Sequence, residues 1–329
     1  MRTYALPTPA VLLVLLSLLL GALAVPGAPH AHAADNGRWA VFPAKATEER
    51  AVQGAGKRAV FRLRADPGAT LREKVTVANR VNRPMTFLLY GADAHNTPRD
   101  GGFAVRTHAE KQRDVGKWTR LKHREVTVPA RGEKTVPFAV EVPAKAEPGD
   151  HAGAVVAVDK RVAKAKGAVG VGVQQAVGSR IHLRVNGERT DRLEVRDVRF
   201  DYATPLLPGS GQDATIGYTL ANTGNTMLRP QVDIKAAGLL GRRPFSTTGK
   251  KLPAELLPGQ RVEVTQKWSG PPLVDWGTVR VTASDRDGRI VESGSDGYRT
   301  VSWWLLLVLL VPVAWAAGRL VRRWRRGRS

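Results

Sequence analysis

Histidine and carboxylate are the side chains here able to ligate a metal or move a proton, and neither falls into a working pattern. His95, His108, His123, His151 and His182 are scattered at no metal-ligand spacing, and His182 alternates outward from Ile181 and Leu183 on an extended run. Asp93 and Asp100 would suit an acid–base pair, but no catalytic partner lies nearby and both read as turn residues. Asp285-Arg-Asp-Gly288 opens like a calcium loop, yet Glu292 comes too early to close one, so the segment reads as a hairpin turn. Trp118, Trp268 and Trp276 could stack on sugar rings, although a large aromatic in a β protein is more often core. The absence of cysteine excludes disulfides, thiolate metal sites and thiol nucleophiles. The expectation is a protein that is not an enzyme and uses no cofactor or metal.

The segments that carry these residues are short and alternate apolar with polar, as in Glu125-Val-Thr-Val128, Thr135-Val-Pro-Phe-Ala-Val-Glu-Val142 and Arg180-Ile-His-Leu-Arg-Val185. Pro, Gly, Asn and Asp punctuate them, which is the pattern of half-buried antiparallel strands. Landmarks then recur in order. Val75-Thr-Val-Ala-Asn79 matches Tyr218-Thr-Leu-Ala-Asn222, and Val128-Pro-Ala-Arg-Gly132 matches Leu256-Leu-Pro-Gly259. Pro67-Gly68 and Pro208-Gly209 precede the first pair of matches. The expected fold is all-β, two tandem Ig-like sandwiches, with a boundary in Asn186-Gly-Glu-Arg-Thr190.

The ends read differently. Arg2, a leucine-rich run from Ala10 to Val25 and Ala31-His32-Ala33 form a secretory leader with cleavage after Ala33. Val301 to Gly318 is free of charge and would be about 27 Å long as a helix, and six arginines follow it. This predicts a single transmembrane helix over 301–318 with Trp303 and Trp304 at one boundary. Arg319, Arg322 and Arg323 begin a basic cytoplasmic tail over 319–329. The chain would then be a single-pass cell-membrane protein with its ectodomain outside. That ectodomain carries about +15, which suits anionic partners. No zinc set or RNP-type aromatic pair supports nucleic acid.

Residues Arg38 to Val185 resemble a known family, the WxL-interacting-protein peptidoglycan-binding domain (WxLIP, formerly DUF916) of Gram-positive surface proteins. The likeness lies in Ala59-Val-Phe-Arg-Leu-Arg-Ala-Asp-Pro-Gly68, Glu73-Lys-Val-Thr-Val-Ala-Asn79, Ala92-Asp-Ala-His-Asn-Thr-Pro98 with Gly101, and Asp150-His-Ala-Gly153. Arg62 stands where that family has an aspartate. The resemblance implies a β-sandwich over 34–186 that attaches to peptidoglycan or teichoic-acid-like polymers. Residues 187–300 would form a spacer or partner-binding module. Exposed candidates for wall contact are Asn96 and Arg99 in a hairpin, and Lys160, Lys164 and Lys166 in a basic loop, whose charges suit phosphates and carboxylates.

Two functions follow as expectations. The first is a non-enzymatic, membrane-anchored wall-binding protein. The alternative is a membrane-held subunit or chaperone of a surface complex, which offers an open sheet edge to a strand of a protein partner.

Overall fold

A computed structural model describes residues 34–44, 59–161, 175–203, 213–285 and 288–327. The leader (residues 1–33), Lys164 and Lys166 lie outside these residues.

Alternation of side chains builds two sandwiches. The first opens with β1 (Ala34–Asp35), β2 (Trp39–Pro43), β3 (Phe61–Ala65), β4 (Thr70–Asn79), β5 (Met85–Asn96) and β6 (Phe103–Val105). A one-turn helix α1 (Val115–Trp118) precedes β7 (Thr119–Leu121), β8 (Glu125–Val128), β9 (Glu133–Glu141), β10 (Gly149–Asp159) and β11 (Ala176–Val185). One sheet has the order β1-β2-β4-β9-β7. The facing sheet runs β3-β11-β10-β5-β6, with β8 also on β5. Phe61, Val75, Val77, Phe87, Val155 and Ile181 are fully buried between them.

The second sandwich comprises β12 (Leu193–Ala203), β13 (Asp213–Asn222), β14 (Gln231–Ala237), β15 (Phe245–Lys251), β16 (Arg261–Ser269), β17 (Val274–Ser284) and β18 (Val291–Val301). Its sheets run β12-β13-β16 and β15-β14-β17-β18 around Ile216, Leu220, Ile234, Trp268 and Val281. The Asp285 segment is the turn between β17 and β18, where the Gly288 N–H donates to the Asp285 carbonyl at 2.9 Å.

The recurrent asparagines do the same work in each sandwich. Asn79 Nδ2 donates to the carbonyls of Arg83 (2.7 Å) and Pro129 (2.8 Å), while its Oδ1 accepts the Val81 N–H. Asn222 Nδ2 donates to Thr226 (2.7 Å) and Leu256 (3.0 Å), and its Oδ1 accepts the Gly224 N–H. Both side chains are almost wholly buried, so each turn has its polar groups met by one amide rather than by water.

The C-terminal expectation is corrected. β18 runs through Val301 and helix α2 (Trp303–Arg326) begins after Ser302, so the uncharged part of the helix is residues 303–318 and not 301–318. Sixteen residues rise about 24 Å, short of a hydrocarbon core of about 30 Å. Among the described residues no helix is long and apolar enough to cross a membrane. The transmembrane helix and the single-pass cell-membrane location are therefore withdrawn, together with the anchoring roles of Trp303, Trp304, Arg319, Arg322 and Arg323. Arg319 instead stacks on Trp315, its guanidinium 4.0 Å from the ring centre.

Asn79→Ala and Asn222→Ala should each destabilise by about 1–3 kcal/mol, because buried carbonyls lose their donor. Amide exchange should speed up in the strands of the mutated sandwich while those of the other stay protected.

Candidate functional site

Hydrogen bonds between the sandwiches create the cleft that is the best candidate site. Asn96, at the end of β5, is 3% exposed and spans the joint. Its Nδ2 donates to the Glu255 carbonyl at 2.8 Å and its Oδ1 accepts the Leu257 N–H at 2.8 Å. The Glu263 N–H donates to the Pro98 carbonyl at 2.7 Å. At β10, the Asp150 N–H donates to the Asn225 carbonyl and Asn225 Nδ2 donates to the Pro148 carbonyl. Gly149 has φ 129, and a Cβ there would run into the Asn225 carbonyl, so glycine is required where the chains meet.

Asp150 is the electrostatic centre of the joint. Arg184 forks onto it, Nε to Oδ1 at 2.6 Å and Nη2 to Oδ2 at 3.1 Å, and the Met227 N–H of the second sandwich donates to Oδ2 at 3.0 Å. Burial pushes the Asp150 carboxyl up, but the Arg184 fork and the Met227 amide outweigh it and hold the group below its ordinary value. Arg229 likewise forks onto Glu255 Oε1 at 3.2 and 2.5 Å.

Beside this joint opens a cleft of about 480 Å³. Arg62 and Arg64 of β3 line it with His182 and Arg184 of β11, and Arg229, Glu255 and Asp285 face them from the second sandwich. β3 runs parallel to β11, pairing Arg62 with His182 and Arg64 with Arg184. Among the described residues β11 is the only strand beside β3, and none of them pairs with its other edge. The strand keeps its place because Phe61 is fully buried, edge-on to Phe138 with ring centres 5.1 Å apart. Arg184 and Arg229 are spent on Asp150 and Glu255, whereas Arg62 and Arg64 are exposed and have no acidic partner among the described residues. His182 Nε2 is buried without a hydrogen-bond partner. Desolvation lowers the His182 pKa and Arg62, Arg180 and Arg229 lower it further, against the opposing pull of Glu255, so the ring is neutral near pH 7. Such a cleft can receive anionic side chains. Among the described residues no cluster of histidine and carboxylate could hold a metal.

The residues singled out in the sequence are placed apart. Asn96 is a strut between the sandwiches and not a surface contact. Arg99 lies exposed at the tip of the β5–β6 hairpin. Lys160 is bound to Glu125 at 2.9 Å. Asp93 accepts the Arg113, Asp114 and Gly116 N–H groups and so holds the entry to α1. Asp100 closes its own turn with Thr97 and the Gly102 N–H. Trp118 and Trp268 are core, whereas Trp276 is 52% exposed. His182, read as pointing outward, faces the cleft. Sequence alone offered one signal for the site, the Arg-x-Arg alternation of β3.

His151, read in the sequence as one of the scattered histidines, is held by two acceptors. Its Nδ1 lies 2.9 Å from Asp114 Oδ1 and its Nε2 2.9 Å from the Glu147 carbonyl, two acceptors that only an imidazolium can satisfy together. Burial lowers its pKa, but Asp114 and Glu147 outweigh this and leave it raised.

Neither a family model nor a curated protein matches the chain. Among solved structures, a chaperone–tip adhesin complex of CFA/I fimbriae aligns at 8% identity and TM-score 0.35, covering 80% of this chain and 99% of that one. The class 5 fimbriae chaperone CfaA aligns at 11% and 0.33, covering 74% and 96%. The Pseudomonas aeruginosa CupB2 chaperone aligns at 10% and 0.31, covering 76% and 98%. No residue role follows from likeness at this level. The cell-wall, peptidoglycan-binding and WxLIP expectations find no support: no family model matches, and of the wall-contact residues Asn96 is buried and Lys160 is paired.

Two pH effects follow. Asp150, lowered in the fold, stabilises the joint fully above the ordinary carboxylate value of about 4, and this is lost as pH falls through its folded value. Protection of the Met227 amide should drop there, and Asp150→Asn should show the loosened joint at every pH. His151, raised in the fold, stabilises fully below the ordinary imidazole value of about 6.5, and this is lost as pH rises through its folded value. NMR titration should find it protonated above that ordinary value, and Asp114→Asn should bring it down.

Proposed function

We propose that this chain is a non-enzymatic subunit or chaperone of a surface protein complex, and that it receives an extended segment of its partner along β3. The observation that carries the reading is the open edge of β3 at the lip of an arginine-lined cleft. An unpaired edge presents a row of N–H and C=O groups ready to bond another chain, and natural sheets usually cover or blunt it. Here the edge is held rigid from behind by Phe61, so an incoming strand meets a formed template. The positive charge of Arg62 and Arg64 keeps a second copy of this basic chain away and admits an anionic partner. A partner of the adhesin-subunit class, such as the tip adhesin named in the CFA/I complex, fits this mode.

A photo-crosslinking residue placed at Arg62 or Arg64 in living cells should trap one stoichiometric protein, and the same probe at exposed Arg199 on β12 should not. Absence of any adduct at β3, or equal adducts at both strands, would contradict the reading.

A further inference from the structure

We propose that the segment received by β3 carries acidic side chains two residues apart, one set opposite Arg62 and the other opposite Arg64. This rests on the reading of β3 as the receiving edge. Arg62 and Arg64 are two apart on a strand, so both project from the same face, about 7 Å from each other along it. Both are exposed, and neither has a carboxylate at ion-pair distance among the described residues.

The side of β3 that is already occupied cannot satisfy them. Arg62 lies opposite the neutral imidazole of His182, and Arg64 lies opposite Arg184, a like charge already forked onto Asp150. Like charges directly opposite each other on neighbouring strands are unfavourable, and opposite charges there are favourable. The acids within the cleft are committed as well, since Asp150 holds Arg184 and Glu255 holds Arg229, while Asp285 stands beyond ion-pair reach of β3. A new strand on the open edge is the element that can bring carboxylates beside both guanidiniums, and a strand delivers them at every second residue. The selected feature is thus the spacing of the acids and not the net charge of the partner.

The test uses the full chain and nine-residue synthetic peptides of alternating valine and polar residues, with binding read by fluorescence anisotropy. A peptide with two glutamates two apart should bind roughly tenfold more tightly than its glutamine counterpart. It should also bind more tightly than a peptide of the same composition with the glutamates three apart. Arg62→Glu combined with Arg64→Glu, both at exposed positions, should reverse the preference towards a lysine peptide while leaving the melting temperature unchanged. Equal binding of the two glutamate spacings, or of glutamate and glutamine peptides that both protect β3 amides, would overturn the acidic-spacing inference alone. If no peptide of any charge protects β3, the receiving edge itself is refuted.

Discussion

The carboxylate of Asp150 sits where the two sandwiches meet, and the organisation of the cleft follows from the need to satisfy it. A buried charge must be paired and hydrogen-bonded or it is expelled. Arg184 of the neighbouring strand supplies the charge, and the Met227 amide of the second sandwich supplies a further donor. One group therefore ties its own sheet and the opposite module at a single point. It also decides which arginines remain available. With Arg184 held by Asp150 and Arg229 by Glu255, the arginines that line the cleft without an acidic partner among the described residues are Arg62 and Arg64 of β3.

No described strand covers the outer edge of β3. Natural sheets cover, shorten or charge their edges, and β3 is short and charged, which limits indiscriminate pairing. It is also firmly seated, because Phe61 and Ala65 plug into the core while the arginines between them face out. Rigidity, charge and an available hydrogen-bonding edge coincide on five residues. The asparagines Asn79 and Asn222 show the same economy in the scaffold, where one buried amide closes a turn that would otherwise bury bare carbonyls.

What could be read from the sequence was local. Alternation marked strands such as Arg180 to Val185, and the repeated Ala-Asn steps at Asn79 and Asn222 marked positions whose bonding is the same in both sandwiches. What depended on distant partners was not legible. Asn96 sits in a turn-like stretch and looked exposed, yet its side chain is bound by residues 159 and 161 positions away. Lys160 stood in a basic run, and only the fold brings Glu125 to it. His182 obeyed the alternation, but the face it points to is covered by a second module. The C-terminal helix fell short of a membrane span because β18 claims Val301 and the helix begins only after Ser302, a boundary that hydropathy does not register.

The central claim is that β3 gains a strand. Amide hydrogen exchange over Phe61–Ala65, compared between the isolated chain and the complex captured from cells, addresses it most directly. Slowed exchange at β3 on complex formation, with β16 and the other outer strands unchanged, is the predicted result. Unchanged exchange at β3 while another surface becomes protected would contradict it.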